Sequence, residues 1–141
     1  MSRFFFYGTL LDRDVTALVL GRRLPPAAFV SALMPGHRRR RVKGASYPVV
    51  IRAPGDEVSG AVVSGLSPHD VARLAAYEGQ GYRIVMVGVK VAGRREAVSM
   101  FEPVPGRLQP SSDPWDLVLW QRHSKRAFIG RLRRMISALP A

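Results

Sequence analysis

Four consecutive aromatics, Phe4, Phe5, Phe6 and Tyr7, run straight into Gly8, Thr9 and Leu10, and no other stretch narrows the possible folds as much. Successive strand residues point to opposite faces, so three phenylalanines in a row place rings on both sides. Only a strand covered on both faces can hide them. The run predicts a buried first strand from about Arg3 to Tyr7, which Gly8 and Thr9 then break. A glycine at that point lets backbone N–H groups approach a ligand with no Cβ in the way, and Thr9 adds a hydroxyl beside them. Read alone, Tyr7-Gly8-Thr9-Leu10 fits a plain strand-to-helix turn better than a binding loop, because motifs this short recur by chance.

Beyond the bend, Leu11 and Asp12 lead into a short helix with Asp12 as N-cap, Val15, Leu18 and Val19 at helical spacing, and Gly21 as the stop. Arg22 to Pro26 reads as an exposed connector. From Ala27 to Leu66 the pattern predicts four short strands, Phe29 to Met34, Arg38 to Val42, Tyr47 to Ile51 and Val58 to Leu66. They are separated by Pro35-Gly36, by Lys43 to Ser46 and by Ala53 to Asp56. Turn signals at this spacing point to a small, strongly bent sheet or barrel, and Gly60 and Gly65 to bulges or close backbone approach.

A second helix is well marked: Ser67 as N-cap, Pro68 at the first helical position, Asp70 in the capping-box place, and an end near Glu78-Gly79. Val71, Leu74 and Ala75 form its apolar stripe. Tyr82 to Ala92 and Arg95 to Phe101 read as a hairpin turned at Gly93, with Val85, Val87, Val89 and Val91 on one face. After a Pro-, Gly- and Ser-rich loop, Asp113 and Pro114 open a final helix. Its apolar side is Trp115, Val118, Leu119, Phe128, Leu132, Met135, Ile136 and Leu139, with a break around His123 to Lys125. With 141 residues, no repeat and no dividing linker, the chain reads as one domain over residues 1–141.

Composition removes several chemistries. The absence of cysteine excludes a disulfide framework and a thiolate nucleophile or ligand, and three scattered histidines argue against a metal site. No apolar run approaches the roughly 20 residues of a membrane span, and the N-terminus lacks the features of a signal peptide. The expectation is a cytoplasmic protein with no membrane association. A net charge of +12 would ordinarily point to nucleic acid or another anion. The charge is dispersed, however, and the cluster Arg38 to Arg41 would divide between two strand faces. Arginine-heavy usage, with Lys43, Lys90 and Lys125 as the lysines, also fits a GC-rich coding bias, which outweighs a nucleic-acid site.

Of the carboxylates, Glu78 has the oddest address. It lies in the last turn of a predicted helix, where the macrodipole disfavours negative charge. Drawn into an apolar pocket by Tyr77 and Tyr82, it would hold its proton more tightly, as a general base or acid requires. An exposed glutamate on an ordinary helix-ending turn fits the same segment equally well.

Taken together, Phe6-Tyr7-Gly8-Thr9-Leu10 after an N-terminal strand, Tyr47-Pro48 opening a middle strand, Gly60 in the next, and Tyr77-Glu78-Gly79 with Tyr82 resemble the gamma-glutamylcyclotransferase-like superfamily over roughly residues 3 to 90. The resemblance implies an α+β fold, a small mixed β-barrel with flanking helices and a C-terminal helix. It also implies a cavity roofed by the loop after the first strand, with Glu78 as general acid and base and no cofactor needed, in agreement with the missing cysteine and metal ligands. A gamma-glutamyl substrate would lay its α-carboxylate on the N–H groups of Gly8, Thr9 and Leu10. Its α-amine, deprotonated by Glu78, would close on the γ-carbonyl to release 5-oxoproline and an amine.

Tyr7 would line the pocket, Tyr47 would face it, and Tyr82 would donate to the substrate or to Glu78, although a core aromatic with a satisfied hydroxyl describes Tyr82 slightly better. The expected partner is a small gamma-glutamyl molecule, bound by a monomer or weak homodimer. Many relatives carry an arginine two residues after this tyrosine, whereas here Arg83 follows Tyr82 directly and the second place is Ile84. The alternative is a non-catalytic module of the same fold, binding a small anionic metabolite or, through its basic surface, nucleic acid.

Overall fold

A computed structural model of the chain describes residues 1–136. Among them, five strands close into a barrel in the order β1 (Ser2–Phe6), β3 (Pro48–Leu66), β2 (Phe29–Arg41), β4 (Tyr82–Val91), β5 (Arg94–Pro103), and four helices pack outside it. β1 (Ser2–Phe6) is the keystone, antiparallel to β3 (Pro48–Leu66) through Phe6↔Ala61 and parallel to β5 (Arg94–Pro103) through Phe4↔Ser99. Pairing of both kinds makes the sheet mixed. Phe4, Phe5 and Phe6 are 2%, 1% and 2% exposed, as aromatics on alternating faces require. Phe5 joins Met34, Val62 and Met100 in a cluster drawn from the strands, while Phe4 and Phe6 pack with Val15, Leu74 and Trp120 in a second cluster between sheet and helices.

The four short strands expected between Ala27 and Leu66 are two long ones. β2 (Phe29–Arg41) and β3 pair along almost their whole length and are joined by a hairpin at Lys43 to Ser46, where Val42 N–H donates to Tyr47 O. Pro35-Gly36 and Ala53 to Asp56 are not turns. Register jumps there from Pro35↔Glu57 to His37↔Arg52, so one residue of β2 faces four of β3 and both strands bend together. Gly36 (φ 76°) and Gly55 (φ 88°) supply the left-handed backbone that this bend needs.

Local signals place the helices. α1 (Arg13–Leu20) is capped by Asp12, whose carboxylate accepts from Asp14 N–H and Val15 N–H, and α2 (Pro68–Glu78) has the full Ser67–Asp70 capping box. β4 (Tyr82–Val91) and β5 form the expected hairpin, with Val85, Val87, Val89 and Val91 packed inward and Met86, 66% exposed, facing out.

The C-terminal region departs from expectation by one helical turn. Asp113 is held by Arg41 at 2.8 Å, so Asp116 caps instead, accepting from Leu119 N–H. α3 (Leu117–His123) therefore buries Trp120 and leaves Val118 and Leu119 more than half exposed, and α4 (Lys125–Met135) follows a break at Ser124. Met135 is a little under half exposed, and Leu139 lies outside the described residues. No helix among the described residues is long and apolar enough to cross a membrane.

Candidate active site

The bend after β1 tightens into a single 3-10 turn, Thr9–Leu11, in which Leu11 N–H donates to Gly8 O at 2.9 Å and Asp12 N–H to Thr9 O at 3.0 Å. The three preceding amides, on Gly8, Thr9 and Leu10, have no protein acceptor among the described residues. The first turn of any helix leaves such donors open. Gly8 also brings the bend close to β3: a Cβ there would sit 3.0 Å from Cγ of Pro48, the residue that opens β3, so that ring would have to shift by a few tenths of an ångström.

Two hydrogen bonds tie this bend down. Thr16 Oγ1 donates to Leu10 O at 2.6 Å, and Thr9 Oγ1 is 2.6 Å from the Tyr77 hydroxyl on the last turn of α2. The second bond fixes the helix end that carries Glu78 against the loop. Both face a cavity of about 350 Å³ whose walls include Tyr7, Gly8, Thr9, Leu10, Tyr47, Tyr77, Glu78 and Tyr82. The residues expected at the site, Tyr7, Gly8, Thr9, Leu10, Tyr47, Glu78 and Tyr82, thus line one hollow, within the size range of small-molecule sites, whereas Gly60 and Gly79 lie outside its lining.

Solvent reaches part of Glu78, yet the protein around its carboxyl desolvates it enough to push the pKa up to about 8. No hydrogen bond or ion pair to this carboxyl is present among the described residues to offset that penalty. At neutral pH the group is therefore mostly protonated and close to the point of exchange.

The tyrosines frame the cavity with their hydroxyls largely engaged. Tyr7 donates to Phe101 O at 2.7 Å, and burial, followed by the proximity of Glu78, raises its pKa well above the ordinary value. Tyr82 donates to Pro48 O at 3.3 Å, the satisfied hydroxyl that described it slightly better in the sequence than donation to Glu78 or a substrate, and burial followed by Glu78 raises its pKa too. Tyr77, also raised by burial first, was read in the sequence only as apolar cover for Glu78; its bond to Thr9 gives it a structural part as well. Leu108, Phe128 and Met135 also line the wall; Phe128 and Met135 read in the sequence only as the apolar side of a helix, and nothing local ties any of the three to this site, because the loop and helix that bring them there are far away in the chain.

The arginine run separates as strand geometry requires. Arg38 pairs with Asp56 and Arg41 with Asp113, while the Arg39 guanidinium turns inward over the Trp115 ring, 5.5 Å from its centroid. Arg39 Nη1 donates to Tyr7 O at 2.9 Å and to Ser59 O at 2.8 Å, and its Nε is buried without a partner. Among the described residues no group of three or more His, Asp or Glu side chains is placed to hold a metal ion.

Residues 4–117 match the family described as gamma-glutamyl cyclotransferase, AIG2-like. The chain belongs to this family. AIG2-like protein A of Arabidopsis thaliana is 31% identical to this cyclotransferase-family chain over 134 residues, covering 94% of it and 79% of the relative. A solution structure of a protein from the same plant superposes with a TM-score of 0.67 at 29% identity, covering 97% of this chain and 91% of that one. A solved gamma-glutamyl cyclotransferase shares the AIG2-like barrel at a TM-score of 0.61, covering 99% of this chain and 88% of that one; at 17% identity the likeness shows the fold alone. The matched segment runs past β5 and ends at the start of α3, further than the residues 3 to 90 that carried the resemblance in the sequence.

Proposed function

We propose that the protein is a gamma-glutamyl cyclotransferase with Glu78 as its general acid and base. The observation that carries this reading is the meeting, in one hollow, of a desolvated carboxyl and three unclaimed backbone amides. The amides of Gly8, Thr9 and Leu10 suit a carboxylate, and an uncharged-to-charged switch near neutral pH suits Glu78 to proton transfer.

In the proposed reaction the substrate folds over with its α-carboxylate on the bend and its α-amine beside Glu78. As Glu78 takes a proton, the amine lone pair attacks the γ-carbonyl carbon, closing a five-membered ring and sending the carbonyl pair onto oxygen. That pair then returns, the bond from carbon to the outgoing nitrogen breaks, and Glu78 delivers its proton to that nitrogen. The products are 5-oxoproline and a free amine or amino acid. Nucleophile and electrophile belong to one molecule, so a rigid cavity that holds the folded conformer supplies much of the rate. Tyr7, Tyr47 and Tyr82 would shape the walls around that conformer.

The test is incubation of the purified protein with a panel of gamma-glutamyl amino acids and amines, with 5-oxoproline as readout. Glu78→Gln should lower turnover by at least about 100-fold with the fold intact. The acid limb of kcat/KM should fall near pH 8, because the free enzyme must have Glu78 ionised to act as base. Turnover retained in the variant removes Glu78 from the mechanism, and no turnover on any substrate favours a non-catalytic binding module.

A further inference from the structure

Arg39 is a half-buried cation with no carboxylate bound to it among the described residues, and it reaches across to the bend that roofs the cavity. Its guanidinium is stacked on Trp115 and spends Nη1 on two carbonyls, Tyr7 O and Ser59 O. A charge withdrawn from water calls for an anion nearby; Asp116 acts on it through space without forming an ion pair, and the two carbonyl dipoles satisfy it only in part.

The bond to Tyr7 O has a consequence one atom further along. The carbonyl of Tyr7 and the N–H of Gly8 belong to the same peptide group, which is planar and trans, so they point in opposite directions. Holding the carbonyl towards Arg39 therefore turns the Gly8 N–H away from Arg39. A glycine at position 8 offers little conformational resistance of its own to rotation of that plane. Hydrogen bonding of a cation to the carbonyl also polarises the peptide and makes its N–H a stronger donor. The charge of Arg39 is thus relayed to the amide of a residue that lines the cavity, without the Arg39 side chain being part of that lining.

We propose that Arg39 is a positioning residue for the substrate carboxylate, acting through the Tyr7–Gly8 peptide group, an inference that rests on the cyclotransferase reading of the cavity. The ligand it selects is an anion small enough to sit on the Gly8, Thr9 and Leu10 amides, and its influence falls on binding rather than on proton transfer at Glu78.

The test compares Arg39→Gln and Arg39→Lys with the unmodified protein on paired gamma-glutamyl substrates, one with a free α-carboxylate and one with that group as a neutral carboxamide. Arg39→Gln should raise KM for the carboxylate substrate about tenfold or more and change kcat by less than about threefold, with no comparable effect on the carboxamide. Arg39→Lys, which keeps the charge, should recover part of the loss. Equal losses on both substrates, or a fall in kcat alone, would overturn the proposal.

A binding measurement covers the case in which Arg39→Gln does not fold. With 15N-labelled protein, 5-oxoproline should shift the amide resonances of Gly8, Thr9 and Leu10, and in Arg39→Lys the Gly8 shift should shrink most. A Gly8 amide indifferent to 5-oxoproline overturns the inference. A responsive amide in a protein that turns over no substrate leaves the carboxylate site standing while the proposed reaction fails.

Discussion

At the scale of single residues, Glu78 sets a direct opposition between stability and chemistry. Burial raises its pKa from an ordinary 4.5 to about 8, so between those values the folded protein binds a proton that the unfolded chain does not. Stability from this group is fully present below about pH 4.5 and is lost as pH climbs through 8. Glu78→Gln has the shape of the protonated side chain and never ionises. We therefore predict that variant and parent unfold alike in urea at pH 4, and that at pH 9 the variant is more stable by at most about 5 kcal/mol, less whatever cavity water recovers. Parallel stability curves across that range would mean the carboxyl is not desolvated. The sequence disclosed the position of Glu78 at a helix end and tyrosines on either side of it. It did not disclose that the hydroxyls of Tyr7 and Tyr82 are engaged by Phe101 and Pro48, since those acceptors are carbonyls, which every residue has.

At the scale of elements, what could be read in advance followed how locally each feature is determined. The Asp12 cap and the Ser67–Asp70 box involve side chains and amides within three residues, so their spacing was enough. The continuity of β2 and β3 was hidden because Pro-Gly serves a paired bend as readily as a turn. Which of the two forms depends on a partner strand 18 or so residues away. The cap of α3 was misplaced for a related reason: Asp113 suits that role locally, but a long-range pair with Arg41 claims it.

Gly60 is the element-scale feature that the sequence did expose, and its reason is the contact of β1 with β3. A Cβ at this position would overlap the Phe6 carbonyl oxygen and lie 2.7 Å from Phe5 Cζ. Neither atom belongs to a flexible chain end, so Gly60→Ala should destabilise the protein by about 2–3 kcal/mol in urea unfolding. Gly88→Ala is the matched control, for its Cβ would meet nothing within 4 Å and its cost should stay under about 0.5 kcal/mol. Equal effects would show that strand glycines matter here for chain entropy rather than for the β1–β3 approach.

At the scale of the whole molecule, the cavity is complete only because the C-terminal helices close on the first one. α4 contributes Phe128 and Met135 to its wall, and the group that anchors α4 is the Asp12 carboxylate, 1% exposed. Besides capping α1, Asp12 accepts from Gln121 Nε2 at 3.0 Å and pairs with Lys125 Nζ at 2.8 Å, so one side chain unites α1, α3 and α4. Hydrogen bonds that Lys125 donates to Asp12, then to Asp14, raise its pKa and keep it charged. Lys125→Met preserves the stem and removes the charge. The buried carboxylate keeps three partners but no cation, at a cost of about 2 kcal/mol. Hydrogen exchange across Lys125–Met135 should accelerate in that variant more than exchange in the barrel strands, since the helices dock through this point while the strands pair with one another. A double-mutant cycle separates the pair from general loosening. Asp12→Asn should cost less in the Lys125→Met background than in the parent, because the charge needing compensation has gone. Strict additivity would locate the docking of α4 in the contacts of Trp120, Phe128 and Leu132 instead, leaving the ion pair without a part in shaping the cavity.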